Sequence, residues 1–526
     1  MCKVRMIFLL ILSCSLSGCA YIESVSRQVK LVQDQKVQPS QYKAKHIIEN
    51  DNYFVYGKLK DGNKEIGTRS LAVAATSDDF ERDETVDVNH IGKVGSYYAL
   101  HLPEGEYELL VLEDENEDGM YSGIEVIGST VLNLTPDAYS SKVIGNVDIQ
   151  LFSQATPFAH KLEIPVHTVE VLEQSFFYPK GSIRPLDDPV FSRRISKLGL
   201  YDPPAFLEIA PMMFYALEED TAHKVPVIFV HGISGSPTEF RAIISSLDRD
   251  RYKPWFFYYP SGSDLGKLAE LFYDIYLSGK VVGRGSTDVV IVAHSMGGLV
   301  VREALNLYEG DEKEIPVKLF ISMASPFGGI SSAQSGVDNA PLVIPVWRNL
   351  TPKGGFIKNL FRNPLPSSVE HHLIYAYRNS GDEDDSDGIV PVRSQLPMAV
   401  EEGLSGRYGF KAGHAEILKE QDAIDVLISL ISQVRSPFPD EHLFYIDMGG
   451  FDVELDNSYS GIEKRLIRNN GFYMRAVANG DVAPVPLNRH FLHVMQGKAE
   501  PLSPVDTAWL KFRSDYPELA SGVQGQ

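Results

Sequence analysis

Ala293-His294-Ser295-Met296-Gly297-Gly298 follows directly on the apolar run Asp288-Val-Val-Ile-Val292 and precedes Leu299-Val-Val-Arg-Glu-Ala-Leu305. Four consecutive apolar or β-branched residues predict a buried strand, and the segment after the glycines has the composition of a helix. Ser295 sits where one would pass into the other. Such a sharp strand-to-helix turn is a nucleophile elbow: it lifts the serine hydroxyl clear of the sheet and sets backbone N–H groups of the helix start beside it. The turn requires small residues two positions before and after the serine, and Ala293 and Gly297 meet that need.

Further strands and helices alternate around this stretch. Val227–Val230, Trp255–Tyr259, Asp288–Ala293, Val317–Met323 and Leu373–Tyr377 read as strands, with helices expected over Pro237–Leu247, Leu265–Leu277 and Leu299–Tyr308. Continuous apolar strands separated by helices predict an α/β core, a mostly parallel sheet with helices on both faces, over residues 224–435. The long segment Gly328–Glu370 reads either as a lid or as extra structural helix.

A serine hydroxyl needs an imidazole to take its proton and a carboxylate to orient that imidazole. Downstream of Ser295 come Ser386-Asp387-Gly388-Ile389-Val390-Pro391 and then Gly413-His414-Ala-Glu. Asp387 is the expected acid because it lies in a tight turn returning towards the sheet, whereas Asp382, Asp384 and Asp385 read as solvated loop charges. His414 is the expected base, and His371 and His372 read as packed or surface residues. Val230-His231-Gly232-Ile233, at the end of a strand, supplies the remaining element: the amides of Ile233 and Met296 are the expected oxyanion donors, with His231 structural.

Together these segments resemble the α/β-hydrolase superfamily, and within it bacterial serine lipases and esterases. The resemblance covers about residues 224–435 and rests on Val-His-Gly-Ile at 230–233, Ala-His-Ser-Met-Gly-Gly at 293–298 and Ala-Ser-Pro-Phe-Gly-Gly at 324–329, where Phe327 stands in a place such enzymes often give to histidine. It implies hydrolysis of an ester or acyl-lipid through an acyl-enzyme, with no cofactor needed for catalysis. An acyltransferase or thioesterase would use the same residues. A noncatalytic surface-binding lipoprotein is the alternative from another class.

The 526 residues leave room for about three or four units. Forty-nine basic and 70 acidic residues give a formal charge of −21, which offers no cationic surface to a phosphate backbone and argues against nucleic acid as a partner. Lys3 and Arg5 precede the apolar run Met6–Leu12, as in a secretory signal over 1–18. Leu16-Ser17-Gly18-Cys19 resembles a bacterial lipobox, which implies a lipidated Cys19 and a place in the cell envelope, at the outer membrane in a Gram-negative source. All three cysteines, Cys2, Cys14 and Cys19, lie in this leader, so the exported body has no thiol for a disulfide.

A polar tether is expected over 19–50, followed by short β runs over 51–152 that predict an N-terminal β-sandwich domain. Within it Asp114, Asn116, Asp118 and Glu125 satisfy the spacing of a twelve-residue calcium loop, with Gly119 at the bend. A structural calcium is one reading and an acidic solvated turn the other. Residues 153–223 read as a connector with strand or cap character at Phe206–Ile209 and Met213–Tyr215. Residues 436–526 read as a small C-terminal unit with β-like runs at Leu443–Ile446 and Phe472–Val477.

Overall fold

The protein is represented by a computed structural model, which describes residues 52–60, 71–77, 85–91, 97–158, 162–166, 181–221, 223–282, 288–340, 343–436, 438–456, 458–459 and 461–522. The expected leader, Cys19 and the tether lie outside these residues.

One sheet organises the centre of the chain. Its strands run in the order Ser182–Ile183, Phe214–Ala216, Tyr252–Phe257, Val225–Val230, Val289–His294, Val317–Met323, Glu370–Tyr377 and Gly406–Lys411. From Tyr252–Phe257 onward every neighbouring pair is parallel, and Phe214–Ala216 is antiparallel to Tyr252–Phe257 and parallel to Ser182–Ile183. Val225–Val230 and Val289–His294 are buried along their whole length. Strands covered on both faces have no polar side to present, which is why they read as unbroken apolar runs.

The covering helices show their packing in their spacing. Leu265–Phe272 buries Leu265, Leu268, Ala269 and Phe272 on one stripe, and Asp264 caps it by accepting hydrogen bonds from the Gly266 and Lys267 amides at 2.9 and 3.2 Å. Gln421–Ile431 buries Ala423, Ile424, Leu427, Leu430 and Ile431 in the same way. The segment after Gly328 forms three short helices, Ser331–Asn339, Pro345–Asn349 and Gly355–Asn359. Ile344, Val346, Leu350 and Leu360 enter the main core, and the Asn349 amide side chain bonds both the Leu265 N–H and Asp264. That segment is fastened structure.

The N-terminal region is all-β, as expected. Seven of its strands form one hydrogen-bonded path from Thr85–His90 to Tyr97–Pro103, whose two ends are bridged by side chains: Asn89 and Asp87 accept from the amides of Ala99 and His101. One side of it packs a core of its own around Tyr53, Val73, Tyr98 and Leu109. The opposite side joins the central core through Phe54, Tyr56, Ala99 and Val143, aided by hydrogen bonds from His101 Nε2 to the Pro211 carbonyl and from the Lys142 amide to Asp274.

Asp114, Asn116, Asp118 and Glu125 lie in the turn that follows the strand Gly105–Glu113, and among the described residues no cluster of three or more His, Cys, Asp or Glu is arranged to hold a metal. The loop is tied by its own hydrogen bonds. Both Glu125 carboxylate oxygens are occupied, one by the amides of Glu115 and Asn116 and the other by the amide and hydroxyl of Ser122, while Asn116 and Asp118 bond each other. The Glu125 carboxylate ties the turn, and Asp114 Oδ1 is buried beside it without a hydrogen-bond partner among the described residues.

The C-terminal unit is helical, not β. Asp440–Asp447 and Gly461–Asn479 are helices, joined by Arg489–Met495, Pro504–Asp515 and Pro517–Ser521 around Trp509, Phe512 and Phe451. Phe472-Tyr-Met reads locally as a strand, but Ile467, Gly471, Met474 and Val477 are among the buried positions of the helix, at helical intervals. Phe206–Ile209 likewise belongs to a helix, Pro203–Ile209, started by Asp202 and two prolines.

Candidate active site

Ser295 occupies the turn between the strand Val289–His294 and the helix Met296–Ala304, with φ 53° and ψ −126°. A non-glycine residue in that conformation is strained, and the surrounding structure fixes it there. Its amide donates to the Met323 carbonyl of the next strand at 2.8 Å. The need for small neighbours is measurable: a Cβ on Gly297 would lie 2.4 Å from the Val230 carbonyl oxygen, and one on Gly232 would lie 2.9 Å from Ser295 Cβ.

The turn brings Ser295, His414 and Asp387 together. Ser295 Oγ lies 2.8 Å from His414 Nε2, and His414 Nδ1 lies 2.7 Å from Asp387 Oδ2. These contacts span 119 and 27 residues of sequence. Because Asp387 is an acceptor, the ring carries its proton on Nδ1 and leaves Nε2 to accept from the serine hydroxyl, an assignment made from the hydrogen-bond network. Ser295 and His414 are almost fully buried and Asp387 completely so.

Asp387 is held by its own turn. Asp387 Oδ1 accepts from the amides of Ile389 and Val390 at 2.8 and 2.7 Å, and Gln395 Nε2 approaches Oδ2 at 3.4 Å. Gln395 in turn exchanges two hydrogen bonds with Ala376 on the adjacent strand. Asp385, expected as a solvated charge, is instead buried and organises the loop: it accepts from the amides of Asn379, Gly381 and Ser386, which holds its carboxyl well below the usual carboxylate range. Asp382 and Asp384 stay at the surface.

The amides of Ile233 and Met296 have no protein acceptor among the described residues. Met296 opens the helix, so its N–H carries the positive end of the helix dipole. The neighbouring amides are already engaged: Gly232 donates to Glu239 Oε1 and Ser234 to Ser261 Oγ. His231 is structural, stacked on Tyr259 at 4.2 Å, with Nδ1 donating to the Gly232 carbonyl and Nε2 accepting from the Tyr259 amide. Burial lowers its pKa and keeps it neutral. His371 is also a packed residue, bonded to Ser322 and stacked on Phe320.

Sequence reading missed Glu239, His294 and Gln395, whose polar contacts surround the three central residues. Glu239 is an unremarked residue of the turn Pro237–Phe240, and nothing local marks it as a partner of His294, which it meets 55 residues away.

Residues 220–351, about a quarter of the chain, match the family described as "Putative serine esterase (DUF676)". Over 110 residues the chain is 26% identical to "Putative esterase/lipase 3" of Mycoplasma genitalium, a match that takes in 20% of this chain and 40% of that protein. The chain thus spans less than half the length of that curated relative. Among solved structures it is similar to the mature lipase BlEst2 of Bacillus licheniformis, at 19% identity and a TM-score of 0.32, covering 41% of this chain and 97% of the other. It is also similar to lipase B of Aspergillus fumigatus, at 18% identity and a TM-score of 0.34, covering 44% and 59%. Residues 220–351 are thus similar to a serine esterase family, and the strand order and the elbow are those of the α/β-hydrolase fold.

Proposed function

We propose that this protein is a membrane-anchored serine hydrolase that cleaves carboxylic esters, among them acyl-lipids. The hydrogen-bonded chain from Ser295 through His414 to Asp387 carries this reading. Ser295 Oγ attacks the ester carbonyl as its proton passes to His414 Nε2, and Asp387 steadies the imidazolium that forms. The resulting oxyanion is received by the amides of Ile233 and Met296. As the C–O bond breaks, His414 returns its proton to the departing alcohol, leaving an ester on Ser295. Water, deprotonated by His414, attacks that ester, and the carboxylate product leaves with Ser295 restored. Each step uses groups of this chain alone.

The anchor rests on sequence. A basic start, an apolar run and Leu16-Ser17-Gly18-Cys19 support acylation of Cys19, and several acyl chains on one residue suffice for stable attachment. Among the described residues no helix is long and apolar enough to cross a membrane.

Hydrolysis of p-nitrophenyl esters of increasing acyl length by the wild type and by Ser295→Ala tests the reading. The wild type should release p-nitrophenol at a rate that Ser295→Ala loses by at least ~10³-fold. Equal rates would refute it, and acyl transfer to an added alcohol outrunning hydrolysis would make the protein an acyltransferase.

A further inference from the structure

His294, which is buried, and Glu239, which is half-buried, form a hydrogen-bonded pair that touches three separate pieces of the site. His294 Nδ1 lies 3.1 Å from Glu239 Oε1, and His294 Nε2 lies 3.0 Å from the backbone carbonyl of His414. The same Glu239 oxygen accepts the Gly232 amide at 3.2 Å. His294 is the residue immediately before Ser295, Gly232 the residue before the Ile233 amide, and the His414 carbonyl belongs to the residue whose ring meets Ser295. One carboxylate and one ring therefore connect the oxyanion loop, the elbow and the histidine loop. We infer that Glu239 and His294 are positioning residues that hold these three segments in register for the reaction; this rests on the hydrolase reading above.

The chemistry of the contacts specifies the charge. Both ring nitrogens of His294 face oxygen acceptors, a carboxylate and a carbonyl, and only an imidazolium donates at both. The surroundings agree. Burial alone would lower the His294 pKa, but Glu239, with help from the His414 carbonyl and the more distant Asp387, outweighs it and raises it. Burial would raise Glu239, yet His294, His231 and the Gly232 amide bring it below its ordinary value. The other titratable neighbours add no competing cation. His231 is kept neutral by burial, Tyr259 is pushed far above its ordinary range, and the His414 ring, 5.0 Å from that of His294, has Asp387 as its own partner.

An ion pair with one partner buried and the other half-buried is seldom a large source of net stability, because desolvation offsets much of the attraction. Its value is geometric. The Ser295 hydroxyl, the His414 ring and the Ile233 amide come from segments 62 to 181 residues apart, and a displacement of about 1 Å in one of them costs up to ~10²-fold in rate. His294 loses one of its two donors when it deprotonates, so the hold loosens as pH rises through its raised pKa.

Glu239→Gln keeps the shape, since its amide can donate to a neutral His294 and its oxygen can accept from Gly232, and it removes the charge. Glu239→Ala removes the hold altogether. With p-nitrophenyl butyrate, Glu239→Gln should lower kcat by ~10-fold and Glu239→Ala by ~100-fold, with KM within ~3-fold of wild type in both. The alkaline fall in kcat that His294 imposes on the wild type should vanish in Glu239→Gln. Nitrogen NMR of the wild-type imidazoles, assigned with His294→Gln, supplies a readout that does not depend on the variants folding: at neutral pH His294 should carry a proton on both ring nitrogens and His231 on Nδ1 alone. A singly protonated His294, or wild-type kcat and pH profile in both Glu239 variants while Ser295→Ala is inactive, would overturn the inference. Activity surviving in Ser295→Ala would instead overturn the hydrolase reading, and this inference with it.

Discussion

His414 and Asp387 are joined twice. The imidazole Nδ1 meets the carboxylate at 2.7 Å, and the His414 backbone amide donates to the Asp387 backbone carbonyl at 3.1 Å. The side-chain contact sets the tautomer, and the backbone contact sets where the ring begins, so the His414 ring is located by the same residue that orients it.

Asp387→Asn should preserve that backbone contact and destroy the tautomer, because an amide can offer a donor to Nδ1 and leave the proton on Nε2, facing Ser295. The expected result is a fall in kcat of ~10³- to 10⁴-fold with little change in melting temperature, measured by ester hydrolysis and calorimetry.

Asp385 acts one step further out. Its three amide donors fold the loop that carries Asp387. Asp385→Ala should lower kcat by ~10- to 100-fold through displacement of Asp387, with KM nearly unchanged. A variant with normal kcat would show that the loop holds its shape without this carboxylate.

Gly297 tests the elbow itself. Its added Cβ would meet two backbone carbonyl oxygens, of Val230 at 2.4 Å and His231 at 2.7 Å, and backbone cannot swing aside as a side chain can. Gly297→Ala should cost about 1–3 kcal/mol of stability as overpacking and should depress activity by moving Ser295, read by urea denaturation and kcat.

His371 predicts how stability depends on acid. Burial first, then the nearby Arg302 and His372, lower its pKa from 6.5 to about 3. The unfolded chain therefore takes up a proton that the folded chain refuses between these values, and stability falls as pH drops through that window by up to ~1.4 kcal/mol per unit. Above pH 6.5 the contribution is complete and constant. His371→Gln should flatten this part of the urea-midpoint profile.

Much of the site was legible from short stretches of sequence because its grammar is local. The elbow needs a strand, two small residues and a helix within about a dozen positions, and Asp387 is marked by its turn. Glu239 and His294 carry no such mark: their pairing exists only because the turn after one strand folds over the end of another. The final strand, Gly406–Lys411, escaped for a different reason, since its half-buried alternation of Gly-Arg-Tyr-Gly-Phe-Lys lacks the apolar continuity of its neighbours. In the C-terminal unit an aromatic run imitated a strand, and only the packing of Ile467, Met474 and Val477 against Trp509 and Phe512 reveals the helical period.

The loop at Asp114–Glu125 makes a prediction of its own. Glu125 satisfies three amides and a hydroxyl while nearly fully buried, so Glu125→Ala should destabilise the N-terminal domain by about 1–3 kcal/mol, read as a lower urea midpoint. An unchanged midpoint would contradict this.

The central claim is that the Ser295 hydroxyl is the nucleophile activated by His414. A fluorophosphonate carrying a reporter, followed by peptide mapping of the labelled protein, addresses it most directly. The adduct should fall on Ser295 alone, at a rate reduced by at least ~10³-fold in His414→Ala. An adduct on a different residue, or labelling as fast without the imidazole, would contradict it.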